Sequence, residues 1–273
     1  MLTAIQLREE DNTILLTLPI GAPSSSQDYF IKSADGLGPV KADIVTSSWA
    51  GQDGGVYQNG RVSYRNIVLN VGLNPNYAGG RDVAYLRERL YEFFPPKSQV
   101  NLIFLRNDNI RDTVKISGFV ESHEPDIFTN KVGAQISIIC PDPYFVHYYV
   151  GSINATTGVP VDMSTFGSAP TGFMVDLTFE RNVGSWYIDV FGFDRILIRG
   201  DYRIGDKVRV STVSGDKYMV KERAGTTTID LSSLDSGSLN TTVDSRTRSF
   251  VTGFTSGGEQ PYKLWYTPRY VGV

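Results

Sequence analysis

His123 and His147 are the chain's two imidazoles and Cys140 is its one thiol, so few side chains are suited to nucleophilic or acid–base work near neutral pH. Cys140 follows Ile136, Ile138 and Ile139 and precedes Pro141. With no basic neighbour in sequence to stabilise a thiolate, it reads as a small buried hydrophobe. Glu121 and His123 lie two residues apart, which on a regular strand puts a carboxylate and an imidazole on one face, the beginning of a metal site. No second dense ligand cluster completes the sphere. Residues 121–126 therefore read as a strand running out into a polar turn, and no metal is expected. Gly36-Leu37-Gly38 lacks the third glycine of a dinucleotide loop, and the chain has no Gly-Lys pair to build a phosphate-cradling loop. Ser214 and Lys217 have Ser-x-x-Lys spacing but fall in a turn, and Arg199-Gly200-Asp201 is an adhesion tripeptide that Gly- and Asp-rich turns produce by chance. The residues predict no enzyme and no cofactor.

Aromatic side chains offer a different chemistry. Trp186-Tyr187 and Trp265-Tyr266 could stack against sugar rings, which defines an alternative reading as a carbohydrate-binding β-sandwich for host-surface recognition. Each tryptophan also alternates with polar neighbours as a core-facing strand residue does, and that is the plainer reading.

Charge names no partner. Residues 1–148 carry 13 basic and 16 acidic side chains and residues 149–273 carry 13 and 13, giving −3 and 0 and summing to the net −3 of the chain. Neither half has the basic excess of a nucleic-acid binder. Arg195, Arg199, Arg203, Lys207 and Arg209 form a basic run, but Asp194, Asp201 and Asp206 are interleaved with it, so it reads as a self-neutralising surface. No apolar run is long enough for a transmembrane helix, and the first eight residues lack the basic start and apolar block of a signal peptide. A single cysteine fits a reducing compartment, which makes the sequons at Asn154 and Asn240 chance matches.

The elements that would position these residues are mostly strands. Ile14, Leu16, Leu18 and Ile20 alternate up to Gly21, and residues 29–31 form a strand leading to the turn Asp35-Gly36-Leu37-Gly38-Pro39. Asn59-Gly60 inside residues 56–64 predicts a two-residue hairpin turn, and Ile67, Leu69 and Val71 share one face of the returning strand. Asp82 is a candidate N-cap for one helix, with Val83, Leu86, Leu90 and Phe93 as its apolar stripe and Pro95-Pro96 as its stop. Three strands follow at 100–105, 114–120 and 132–139. Apolar residues occur on both faces of several strands, Leu15 against Leu16 and Val68 against Ile67 and Leu69, more than a half-exposed sheet of a lone subunit would bury.

Cys140-Pro141-Asp142-Pro143-Tyr144-Phe145 then punctuates the chain. Two prolines in three residues cannot continue a central strand, so the chain leaves its sheet stiffly, with Tyr144 and Phe145 as anchors. Two domains are expected, 1–148 and 149–273. The second reads as short strands separated by Gly-Asp and Ser-Gly turns, with corners at Gly205-Asp206 and Ser214-Gly215-Asp216 and a last strand at 262–266. Residues 241–249 are its most linker-like piece.

The order of these pieces resembles phage distal tail proteins. Tyr29-Phe30-Ile31-Lys32-Ser33-Ala34-Asp35-Gly36-Leu37 is similar to the family's early signature, and residues 60–69 to the strand after its first hairpin. The helix with Pro95-Pro96 resembles its belt domain, Cys140-Pro141-Asp142-Pro143-Tyr144-Phe145 the boundary, and Tyr202-Arg203-Ile204-Gly205-Asp206-Lys207-Val208 a hairpin of its outer sandwich. The resemblance implies a mainly β chain with one helix in the N-terminal half, an N-terminal belt domain and a C-terminal galectin-like β-sandwich. It further implies a structural virion protein at the tail tip, assembled in the host cytoplasm. There, six copies would form a ring between the tail tube and the baseplate hub of a non-contractile tail. Implied partners are its own copies, the tail-tube protein, the hub, the tape-measure protein, receptor-binding or side-fibre proteins, and DNA in transit, with no membrane. Trp49, Tyr57, Tyr64 and Val68 are the candidate subunit-interface residues, and Trp186 and Trp265 the glycan-stacking candidates of the alternative reading.

Overall fold

A computed structural model describes residues 1–51, 53–106, 109–127, 132–162, 167–191, 194–244, 246–247 and 249–273, with backbone alone at 109–112. The fold is mainly β, with a single α-helix among the described residues. The chain divides into two compact units: Met1–Tyr148 together with Val271–Val273, and Tyr149–Tyr270.

In the first unit, β1 (Leu2–Arg8), β2 (Ile14–Pro19), β3 (Tyr29–Asp35), β4 (Ala42–Ser47), β5 (Val56–Val62), β6 (Arg65–Leu73), β7 (Gln99–Arg106), β8 (Asn109–Pro125), β9 (Gly133–Cys140) and β10 (Phe145–His147) surround one helix, α1 (Val83–Phe93). Seven strands form an antiparallel sheet in the order β2-β1-β7-β8-β9-β6-β3, and β10 adds to β8. A parallel bridge between Ile20 and Ile31 joins the two ends of that order, so the sheet curls into a barrel. The alternation of β6 explains the curl. Ile67, Leu69 and Val71 are fully buried inside with Ile5, Leu18, Phe104, Ile136 and Ile138. Val68 on the outer face is half-buried, while Ile14 and Leu15 of β2 stay exposed. The doubly apolar strands are thus relieved on one face by closure and left bare on part of the other.

The helix forms as its residues dictate. Asp82 accepts a hydrogen bond from the Tyr85 amide at 2.8 Å, Leu86 and Leu90 are fully buried, and the chain turns at Phe94 before Pro95-Pro96. Tyr29 of β3 ties the helix to the sheet by donating to the Leu86 carbonyl at 2.9 Å, and burial pushes its phenol up to about 12.

A second tie lies at the mid-chain exit. Phe145 is fully buried, as its anchoring role requires, and the guanidinium of Arg65 lies 4.4 Å above its ring. Arg65 is only 2% exposed and donates to four backbone carbonyls: Pro143 at 2.7 Å, Gly38 at 2.6 Å, Val271 at 2.7 Å, and Gly36. Gly36 is required where it stands. Its φ is +80°, and an added Cβ would meet the Asn66 carbonyl oxygen at 1.9 Å. The Val273 amide adds a bond to the Leu37 carbonyl at 3.0 Å, so residues 271–273 belong to the first unit.

Between β3 and β6 the chain leaves the barrel as a separate two-stranded ribbon, β4 with β5. This corrects the expectation at Asn59-Gly60. Those residues lie within β5, paired with Val45 and Ile44, and the turn is instead the longer stretch after Ser47, with positive φ at Gly51 and Gly54.

The second unit is a β-sandwich. One sheet runs β11 (Gly151–Thr156), β21 (Pro261–Tyr266), β13 (Phe173–Thr178), β16 (Lys207–Val213), β17 (Asp216–Arg223), β18 (Thr226–Ile229). The other runs β12 (Val161–Asp162), β20 (Ser249–Phe254), β14 (Val183–Val190), β15 (Asp194–Tyr202), β19 (Leu234–Ser236). Phe173, Leu177, Phe179, Trp186, Ile188, Val210, Phe250 and Leu264 pack between them. Gly205 and Gly215 form the expected corners at φ of +88° and +83°. Residues 241–249 are not a linker: Val243 is fully buried, its backbone pairs with Thr171, and Thr241, Asp244 and Thr247 are buried too. Ser245 and Arg248 lie outside the described residues.

Arg65→Met keeps bulk but removes the donors to four carbonyls. It should destabilise the first unit by on the order of 3 kcal/mol and leave the sandwich's own transition in place. Calorimetry that resolves two transitions checks this, and an unchanged first transition contradicts it.

Candidate interaction surface

The residues that chemistry would need are held apart. A bulge between Val120 and Ser122 of β8 shifts the register by one residue. Glu121 therefore accepts from the Ser137 hydroxyl at 2.7 Å, while His123, opposite the buried Ile136, packs edge-on against Tyr91 of α1 at 4.7 Å. The shared strand face read from their spacing does not exist. His123 Nδ1 reaches the Phe94 carbonyl at 3.3 Å, which fixes the tautomer protonated at Nδ1. Cys140 is fully buried, and burial pushes its thiol up to about 12. Among the described residues no group of three His, Cys, Asp or Glu is placed to hold a metal.

The basic run is neutralised, in one case by an interleaved acid, Asp201, and otherwise by acids outside the run. Arg195 pairs with Asp189, Arg199 with Asp235, Arg203 with Asp201, Lys207 with Glu222 and Arg209 with Asp176. Buried Asp206 takes Arg223 at 2.6 Å and the Arg203 amide at 2.8 Å, and these partners hold its carboxyl below the usual range.

The two tryptophans part company. Trp186 is fully buried and edge-on to Tyr202 inside the sandwich, so it has no face to offer a sugar, which corrects its assignment as a stacking residue. Trp265 is half-buried on the outer surface of the six-stranded sheet, where its indole N–H donates to Asp176 at 2.9 Å.

The β4–β5 ribbon departs from a closed surface. Trp49 is 68% exposed and Tyr57 64%, with Tyr64 60% exposed at the ribbon's base. Ile44, Val45 and Val56 are bare beside them, and sequence reasoning missed these three because short apolar runs look like core. Val68 is different: it lies on the barrel's outer face within β6, opposite Asp35 and Ser137. The ribbon exposes several large apolar side chains and has no core of its own, which marks a contact surface.

Residues 24–140 match the family described as the phage tail protein RIFT-related domain. This span takes in the barrel from β3 to β9, the ribbon and the helix. The fold is also that of the crystallised Dit protein of phage SPP1, described as a paradigm of the hub adsorption apparatus in phages infecting Gram-positive hosts. The two align with a TM-score of 0.64 at 12% identity over 98% of this chain and 99% of that one. The chain has a phage distal tail protein fold. A weaker likeness, with a TM-score of 0.39 at 10% identity over 100% of both chains, is to a chain of the phage P2 baseplate in its activated conformation with Ca. No curated protein matches in sequence. The family match and the fold together support a structural role in a phage tail.

Burial lowers the pKa of His123 from its ordinary 6.5, against a weaker opposing pull from the Phe94 carbonyl. The folded state therefore favours the neutral ring. The stability linked to it is complete above 6.5 and is lost as pH falls through the folded value. The first unit's Tm should fall between about pH 7 and about pH 5, and His123→Phe should reduce that fall. An identical pH dependence in the variant contradicts this.

Proposed function

We propose that the chain is the ring subunit of a tail tip. Six copies close through heterologous contacts between first units acting as belts, and the ring connects the tail tube to the baseplate hub. The observation that carries this reading is the ribbon: Ile44, Val45, Trp49 and Tyr57 project from a barrel that is complete without them. A neighbouring copy that covers them supplies the packing a lone two-stranded ribbon lacks. In this reading Tyr64, exposed at the ribbon's base, and Val68, on the barrel's outer face, would also meet the neighbouring copy. The lumen of such a ring would pass the tape-measure protein and then DNA. The net −3 of residues 1–148 suits transit better than a basic wall would, since tight phosphate contacts would arrest the strand. The sandwich, galectin-like in this reading, faces outwards as the platform for receptor-binding or side-fibre proteins. The chemistry is one of packing, without catalysis.

Light scattering on the eluting protein, alone and mixed with the tail-tube protein, tests this reading. A species of six monomer masses with a ring in negative-stain images is expected. Tyr57→Glu together with Trp49→Glu should abolish it and leave the monomer's Tm within about 1 °C, because neither side chain touches a core. A protein that stays monomeric in both conditions contradicts the reading.

A further inference from the structure

In the first unit, the ends of β1, β2 and β7 meet the C-terminal end of α1 around a groove of about 600 Å3. Leu7, Leu15, Pro95 and Val100 form its apolar lining, and Leu15 is 41% exposed although it stands in a strand. Glu9, Glu10 and Asp11 enter from the turn between β1 and β2, and Glu92 from the helix, all four exposed.

The acids of this groove are unmatched. Among the described residues none of the four has an ion-pair partner. Arg8, the basic side chain in the lining, is committed elsewhere: it donates to the Tyr148 hydroxyl at 2.8 Å and to Gln6 Oε1 at 3.0 Å. Arg89 of the helix lies 5.7 Å over the Phe93 ring.

The helix end adds to the same sign. Its last turn holds Glu92 and no basic residue, the reverse of what a helix dipole favours. Pro95 and Pro96 have no N–H to give to the carbonyls of Tyr91 and Glu92. The Lys97 amide, the natural donor to the Phe93 carbonyl, bonds instead to Val120 at 2.8 Å. Three backbone acceptors at this helix end therefore lack their helical donors, and two of them belong to groove residues.

Such a lining selects its occupant by charge. Phosphate-bearing ligands are repelled. A single metal ion does not fit, because among the described residues no three acids stand close enough together to hold one. Acids spread around an apolar floor match several separate cations joined by an apolar stem, which is the pattern of a basic peptide with an aliphatic anchor.

We propose that this groove docks a basic, apolar-anchored segment of another protein. Its lysine or arginine side chains meet Glu9, Glu10, Glu92 and the open helix end, while an aliphatic side chain settles on Leu15 and Pro95. The site uses no residue of the ribbon and so stands apart from ring closure.

Fluorescence anisotropy of a short labelled peptide alternating lysine with leucine, titrated with the full-length chain, tests this. Saturable binding that weakens as salt is added is expected. Replacing lysine by glutamate, or leucine by serine, in the peptide should weaken it at least about tenfold. Glu9→Gln, Glu10→Gln and Glu92→Gln together should do the same, as should Leu15→Ser, while Glu88→Gln, on the helix outside the groove, should change nothing. The three glutamates are exposed and unpaired, so their loss does not threaten folding. Binding should persist in the chain carrying Trp49→Glu and Tyr57→Glu, which separates failure of this site from failure of the ring. No saturable binding, equal binding of the serine peptide, survival of binding in the triple variant, an equal loss in Glu88→Gln, or loss in the ribbon variant each overturns the proposal.

Discussion

One buried guanidinium holds the first unit in its working shape. Burying a positive charge is costly unless every donor is matched, and Arg65 is matched by backbone carbonyls rather than by an acid. Those carbonyls come from places remote in sequence: the turn at Gly36 and Gly38, the proline exit at Pro143, and Val271. Desolvation lowers the pKa of Arg65, the direction expected for a cation drawn out of water. The contact also does something local. Gly36 and Gly38 lead into β4, and Arg65 stands three residues after the end of β5, so both feet of the ribbon are fastened at one point. A two-stranded ribbon without a core is marginal by itself. With its feet clamped it need not collapse onto the barrel, and its apolar side chains remain available to something else.

The barrel and the ribbon therefore play opposite parts. Closure through Ile20 and Ile31 gives Ile67, Leu69 and Val71 a dry interior that owes nothing to a partner. The ribbon receives none of that burial. Exposed tryptophan, tyrosine and isoleucine side chains on a narrow element are costly to leave in water at roughly 25 cal/mol per Å2 of apolar surface, and the cost is recovered only where another surface covers them. In the proposed ring, contacts between copies would be concentrated in the ribbon, while the barrel packs a core of its own.

Much of this was legible in the residues because local rules and tertiary structure agreed. Asp82, the stripe through Leu86 and Leu90, and Pro95-Pro96 specify the helix completely, and the alternation around Ile67 names the buried face of β6. The prolines at 141 and 143 mark the place where β9 ends. What escaped depended on long-range pairing. Asn59-Gly60 favours a turn locally, yet pairing with Ile44 and Val45 keeps it in a strand. The bulge at Val120 moves His123 to the opposite face from Glu121, and no spacing rule foresees an extra residue. Arg65 is anonymous in the sequence, because its four partners are carbonyls and carbonyls have no residue type. Of the two tryptophans, burial separates Trp186 from Trp265, although their neighbours read alike.

The central claim is that the ribbon is completed by a neighbour and not by its own chain. Hydrogen exchange of residues 42–62, measured on dilute monomer and on the assembled particle, tests it most directly. The account predicts rapid exchange of those amides in the monomer beside a well-protected barrel, with strong protection of the ribbon appearing on assembly. Ribbon amides protected as well as the barrel in the dilute monomer, or still exchanging freely in the assembled particle, would contradict it.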